Sequence, residues 1–280
     1  MLLGARLRFA EPRMKLPPPK PDQGWSHLRQ HDLEELWDHS LSPHVASSFA
    51  ARLGLMLDVI SRLAGEGGRI LDVGCAQGTL GLTLAERGFQ VSLLDVRATN
   101  IEYARARHER GQVDFHVGLL DERTPPRADY DVVVCTEVLE HVTEPSRLLS
   151  QLASKARPGG HLCLTTPNAD YAFSYLPSFG KVSQDVIDAA EVNSLDGDAH
   201  RFLYTREELI ALARGVGLHL EDHGFFLPAW LEGNAKTRYV HRVLYRLRGD
   251  IVHLPPTIPG LGGLLSRRLC SSQWAVFRRT

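Results

Sequence analysis

Two carboxylates and two glycines stand where short apolar runs end, and their spacing invites a charged ligand. Ile70-Leu-Asp-Val-Gly-Cys-Ala-Gln-Gly78 carries Asp72 late in a strand-like run, then a loop with Gly74, Cys75 and Gly78. Glycine serves where a ligand must approach the backbone closely. The dinucleotide fingerprint is Gly-x-Gly-x-x-Gly, whereas this loop has Gly-x-x-x-Gly and lacks the middle glycine. An acid just before it repels a pyrophosphate and suits a cation. S-adenosylmethionine (SAM), with its sulfonium and ammonium, fits better than a nicotinamide dinucleotide. Asp95 ends the next apolar run, about 20 residues after Gly74, where a carboxylate can take both ribose hydroxyls of an adenosine. The plainer alternatives are a tight strand-to-helix turn and an exposed strand-end aspartate.

A second constellation is Thr136-Glu-Val-Leu-Glu-His-Val142. His141 is a candidate general base, because imidazole titrates near neutrality and a hydroxyl acceptor must lose a proton. Its alternative is packing or capping of the following helix. Glu137, Glu140 and His141 have i, i+3, i+4 spacing, so a helix would put them on one face. Two carboxylates and an imidazole suit Mg²⁺, Mn²⁺ or Zn²⁺. Otherwise the acids face solvent or cap backbone amides.

The elements that must hold these residues alternate. Strands are expected over Arg69–Val73, Gln90–Leu94, Asp114–Val117, Asp131–Cys135 and His161–Thr166, with helices over Thr79–Glu86, Thr99–His108 and Pro145–Ala156. That alternation predicts a parallel sheet covered by helices on both faces. Thr205 with Glu208 forms a capping box at the start of a later helix; Leu218–Phe226 and Gln273–Phe277 are closing strands. From Trp25 to Ala64 the pattern is helical. Residues 1–24, with Leu-Pro-Pro-Pro-Lys-Pro at 16–21, are expected to be a flexible tail. Residues 25–280 are expected to be one domain, with an insertion near 168–200 and a basic amphipathic segment near 235–270.

Taken together, these motifs resemble the class I SAM-dependent methyltransferases, in the branch of the ubiquinone-biosynthesis O-methyltransferases. The matching residues are Leu71-Asp-Val-Gly-Cys75 with Gly78, Asp95, Tyr130–Cys135, Glu137-Val-Leu-Glu-His-Val142, Arg157-Pro-Gly-Gly160, Thr166-Pro-Asn168 and His200-x-Phe-x-x-Thr205. The resemblance spans about Trp37 to Arg278. It implies a Rossmann-like seven-stranded, mostly parallel sheet with the last strand antiparallel. It also implies cofactor contacts at Gly74, Asp95 with its neighbour Val96, Leu120 and Thr136. Arg52 resembles the arginine that pairs with the SAM carboxylate, its alternative being a solvated helix arginine. Many relatives have Gly-Asp after the third strand; here Gly118 precedes Leu119-Leu120, which leaves adenine to backbone groups or Asp121. Glu-x-x-Glu-His also occurs in small-RNA 3′-terminal 2′-O-methyltransferases, whose later histidine His200 resembles, so His200 joins the candidate metal set.

On the acceptor side, Tyr171, Phe173, Tyr175, Leu176 and Phe179 form, with residues 25–43, either an aromatic lid or a surface loop packed on itself. Arg238, Arg242 and Arg246 share one face of an expected helix, which either touches an anionic membrane surface or docks on the core. With 32 Lys+Arg against 33 Asp+Glu, bulk charge does not drive nucleic-acid binding. Four scattered cysteines form no metal or disulfide pattern, and no secretory signal or membrane span is evident, so a cytoplasmic enzyme is expected. The expected activity is O-methylation of a small molecule. The rivals are RNA 2′-O-methylation, a silent SAM-fold partner subunit and a nicotinamide oxidoreductase.

Overall fold

The computed structural model describes residues 14–174, 176–183, 185, 202–228 and 263–280. Its strands are β1 Arg69–Val73, β2 Gln90–Asp95, β3 Gln112–Val117, β4 Tyr130–Thr136, β5 Ala156–Pro167, β6 Leu218–Pro228 and β7 Cys270–Arg279. They form a seven-stranded sheet in the order β3-β2-β1-β4-β5-β7-β6. β1 to β5 pair in parallel, and β7 runs antiparallel to both β5 and β6. The helices are α1 Gln23–Asp32, α2 Pro43–Ala64, α3 Thr79–Glu86, α4 Ala98–Arg107, α5 Pro145–Lys155, α6 Arg206–Gly215 and α7 Gly263–Leu269.

The central strands are apolar at successive positions because both faces are covered. In β4, Val132 and Val134 point into a core with Leu53, Met56 and Ile60 of α2, Leu82 of α3 and Ile101 of α4. Val133 and Cys135 point the other way, toward Leu149 and Leu152 of α5 and Leu209 and Ala213 of α6. Each such aliphatic side chain contributes about 1.5–3 kcal/mol on burial. α2 starts on Pro43 and stops at Gly65, whose φ of +67° ends the helix without a side-chain clash. α6 has the expected capping box: Thr205 Oγ1 accepts from the Glu208 N–H, and Glu208 Oε2 accepts from the Thr205 N–H.

Chain order reverses between β1 and β4. The connections from β1 lead outward through β2 to β3, while β4 continues on the other side. Open α/β sheets have their ligand crevice outside the carboxyl ends of the strands at such a switch point.

Two expectations need correction. The stretch 14–22 is not a loose tail: Met14 is buried in the α2 core, the Trp25 indole N–H donates to the Pro18 carbonyl at 2.9 Å, and Arg29 Nε donates to the Pro17 carbonyl. The helical run after Trp25 is interrupted, because α1 continues as one π-helical turn, Leu33–Trp37, before α2 begins. Among the described aromatics the contacts are local. Phe179 stacks on Tyr204 at 5.6 Å, Trp25 packs edge-on against Tyr103, and Tyr171 lies against Phe173. Tyr175 and the basic stretch with Arg238, Arg242 and Arg246 lie outside the described residues. Within α7, Arg267 is paired with Asp170 and Glu207 rather than free on a basic face. No described helix is long and apolar enough to cross a membrane.

Candidate active site

The glycine loop is built by β1 feeding α3. Gly74 and Cys75 donate their N–H groups to the Leu94 carbonyl of β2, which bends the chain across the sheet edge. Gly74 has φ +72°, and a Cβ there would lie 2.4 Å from Val138 Cγ2, so both conformation and space demand glycine. Two non-glycine residues beside the crevice also have left-handed backbone, Ala76 at φ +47° and Glu137 at φ +54°. Such strain gathers at ligand sites held by surrounding structure.

Asp95 braces this loop. Its Oδ2 accepts from the Ala76 N–H at 3.0 Å and its Oδ1 from the Arg97 N–H at 2.9 Å. Asp72 is buried beneath the loop; burial, then the nearby Asp95 charge, pushes its carboxyl up to about 7, while the Gly81 N–H works against them. The Cys75 thiol is likewise held well above its ordinary value, chiefly by burial.

Between this loop, α2 and the end of β4 lies a cavity of about 190 Å³. Its walls include Arg52, Asp72, Gly74, Cys75, Thr136 and Glu137, so six expected residues from three separate stretches meet there. Glu35, from the π-helical turn, also lines it. Three carboxylates against one guanidinium make the walls attractive to a cation. Arg52 Nη1 stands 3.7 Å from Glu137 Oε2. The amino-acid end of SAM fits this donor set: a guanidinium for its carboxylate and acids for its positive charges.

The chain is similar to known proteins in sequence and in fold. A methyltransferase-domain family model matches residues 48–223. The chain belongs to the methyltransferase-domain family. It is 33% identical over 188 residues to the ubiquinone biosynthesis O-methyltransferase of Xanthomonas axonopodis pv. citri, covering 61% of this chain and 72% of that one. It is 35% identical over 174 residues to the enzyme of the same name from Xylella fastidiosa, covering 59% and 67%. Among solved structures, the fold is similar to magnesium protoporphyrin IX methyltransferase from Synechocystis with bound S-adenosylhomocysteine. That match has a TM-score of 0.57 at 15% identity, over 92% of this chain and 94% of the other. A SAM-dependent methyltransferase from Mesorhizobium loti matches with a TM-score of 0.54 at 18% identity, over 80% and 96%. The protein is thus a SAM-dependent methyltransferase with a Rossmann-like sheet.

Other expected residues of this methyltransferase lie around the cavity or away from it. Gly78, at φ +76°, precedes α3, and Val96 is half exposed just past Asp95. Leu120 is buried in the core with Leu71 and Leu94. Asp121 is exposed and accepts from the N–H groups of Arg123 and Thr124, which hold its carboxyl below the ordinary range.

The expected helical face of Glu137, Glu140 and His141 does not form. Glu137 sits in left-handed backbone and Leu139–His141 is a single 3-10 turn. Glu137 Oε1 accepts from Thr165 Oγ1 at 2.7 Å, and Glu140, fully buried, accepts from Thr166 Oγ1 at 3.0 Å. Burial and then the Glu137 charge raise the Glu140 carboxyl well above its ordinary value. Among the described residues no three His, Cys, Asp or Glu side chains gather as a metal site. His200 lies outside the described residues. The α-helical face on which the metal and RNA 2′-O-methylation readings drew is thus not formed by Glu137, Glu140 and His141.

Glu35, Gln77, Asp32 and Arg107 were not singled out from the sequence. Gln77 Nε2 donates to Glu35 Oε2 at 2.7 Å, and Arg107 Nη1 donates to the Gln77 carbonyl and to Thr79 Oγ1. The signal available in the sequence was faint: acids in an N-terminal amphipathic segment look like solvated helix residues.

Proposed function

We propose that this methyltransferase moves a methyl group from SAM to a hydroxyl oxygen of a small-molecule acceptor. The observation that carries the reading is the acid-lined cavity at the β1/β4 switch point, with Arg52 and Glu137 on its wall. The name shared by the two bacterial relatives supports oxygen as the atom methylated and a phenolic quinone precursor as the acceptor class.

Bound SAM supplies a methyl carbon already activated by its sulfonium. The chain's own task is alignment, exclusion of water and management of one proton. The glycine loop and Asp95 position the adenosine end, and Arg52 takes the carboxylate. Asp72 and the cavity acids balance the positive charge. His141 stands in the turn that follows Thr136 and Glu137, at the carboxyl end of β4 where acceptors approach such sheets. Its imidazole receives the acceptor's hydroxyl proton as the new O–CH₃ bond forms and the C–S bond breaks. The products are the methylated acceptor, S-adenosylhomocysteine and protonated His141.

Incubation with methyl-labelled SAM and a panel of catechols, other phenols, sugars, lipids and short RNAs tests this. Labelled ether on a phenolic acceptor is the expected result. Label appearing on nitrogen, carbon or RNA instead would overturn it.

A further inference from the structure

We propose that Glu35, supplied by the N-terminal segment, receives the α-ammonium group of the methyl donor beside Arg52, which takes the donor's carboxylate. The inference rests on the reading of the cavity as the SAM site. An α-amino acid end is a zwitterion, so a site that grips both of its charges needs an anion and a cation side by side. Glu35 and Arg52 line the same cavity. They come from different elements, the π-helical turn and α2.

The other acids on that wall are already engaged. Glu137 accepts from Thr165 and pairs with Arg52. Asp72 lies under the glycine loop, close to the Gly81 N–H and the Asp95 charge. Glu35 is anchored by a single amide, that of Gln77 in the glycine loop, and a carboxylate accepts several hydrogen bonds. The charged groups that act on it are Arg52 of α2, Arg107 of α4 and Asp32 of its own segment. Burial nonetheless lifts its carboxyl to about 7. A buried acid lacking a full counter-charge is one that an incoming ammonium would complete.

Glu35 precedes the matched methyltransferase domain, which begins at residue 48. The N-terminal segment thus adds a contact that the domain itself does not contain. It also joins the glycine loop, through the hydrogen bond from Gln77 to Glu35.

Calorimetric binding of two probes separates the possibilities: S-adenosylhomocysteine, which keeps the amino-acid end, and 5′-methylthioadenosine, which lacks it. Glu35→Gln and Glu35→Ala should each weaken S-adenosylhomocysteine by about 10- to 100-fold, the range of a charge-assisted hydrogen bond. Both should bind methylthioadenosine as the wild type does. The deamino analogue of S-adenosylhomocysteine should bind wild type and variants alike. Equal binding of S-adenosylhomocysteine by wild type and variants would overturn the proposal. Parallel loss of both probes in both variants would also overturn it, making Glu35 a structural residue of the segment. Should the wild type itself bind no S-adenosylhomocysteine, the donor-site reading fails and the inference falls with it.

Discussion

Asp32 and Arg107 form an ion pair, Nε to Oδ2 at 3.1 Å, with neither side chain reached by solvent. The pair joins α1 to the end of α4, and Tyr103 adds a hydrogen bond from its hydroxyl to the same Oδ2. Burial pushes Asp32 up and Arg107 down, while their mutual attraction works the other way. Because Arg107 also holds the Gln77 carbonyl, this pair ties the N-terminal segment to the back of the cofactor loop.

Removing one partner leaves a buried charge uncompensated. Asp32→Ala should therefore cost about 3–5 kcal/mol in urea unfolding. Asp32→Leu combined with Arg107→Met should recover part of that loss, because no isolated charge remains. The recovery should be incomplete, and donor affinity should stay low, since Gln77 and Thr79 lose their guanidinium. A single-variant loss below about 0.5 kcal/mol would contradict the buried-pair account.

The glycine loop makes a second prediction. Gly74→Ala meets two obstacles, the contact with Val138 and a left-handed backbone that costs an alanine about 1–2 kcal/mol. Donor affinity should fall at least tenfold. Adding Val138→Ala should relieve the clash but not the backbone cost, so binding should return only in part. Full rescue would show that the conformation at residue 74 is not constrained.

Asp72 and Glu35 both stand near pH 7 in the ligand-free protein, raised from 3.8 and 4.5 by burial. An acid raised by folding holds its proton longer in the folded state, so its stabilising contribution is full below its unfolded value. That contribution is lost as pH rises toward 7. These two groups should therefore lower the thermal stability of the free protein between about pH 4 and 7. Donor binding favours their charged forms, so affinity for SAM should increase from pH 6 to pH 8 with release of protons. Asp72→Asn or Glu35→Gln should each flatten the calorimetric pH profile, and an unchanged profile in both would contradict the assignment.

His141→Ala separates chemistry from binding. Affinity for S-adenosylhomocysteine should stay within about twofold, because the side chain does not line the cavity. Turnover on a phenolic acceptor should drop by about 10²- to 10⁴-fold, the range for loss of a general base. Undiminished turnover would remove His141 from the reaction.

The sheet was largely legible because its central strands are short apolar runs punctuated by glycines. β1 and α3 begin and end where their residues predict. β5 instead starts five residues early, at Ala156, which pairs with Tyr130 before a register shift that carries the chain through 157–160 to His161 opposite Val132. Asp72, Gly74 and Thr136 were visible as motifs because the residues around them are contiguous. Glu35 was not, because its partner Gln77 is 42 positions away and nothing local marks either residue. The helical face expected of Glu137, Glu140 and His141 failed on a local point: i, i+3, i+4 spacing implies a shared face only in an α-helix, and Glu137 has a positive φ.

The central claim is that an acidic crevice at the β1/β4 edge holds a positively charged methyl donor. Titration calorimetry with SAM and, in parallel, with NAD measures this most directly. Saturable binding of SAM, weakened by Arg52→Ala and by Asp95→Ala and with no heat from NAD, is the predicted result. Tight binding of NAD with no signal from SAM would contradict it.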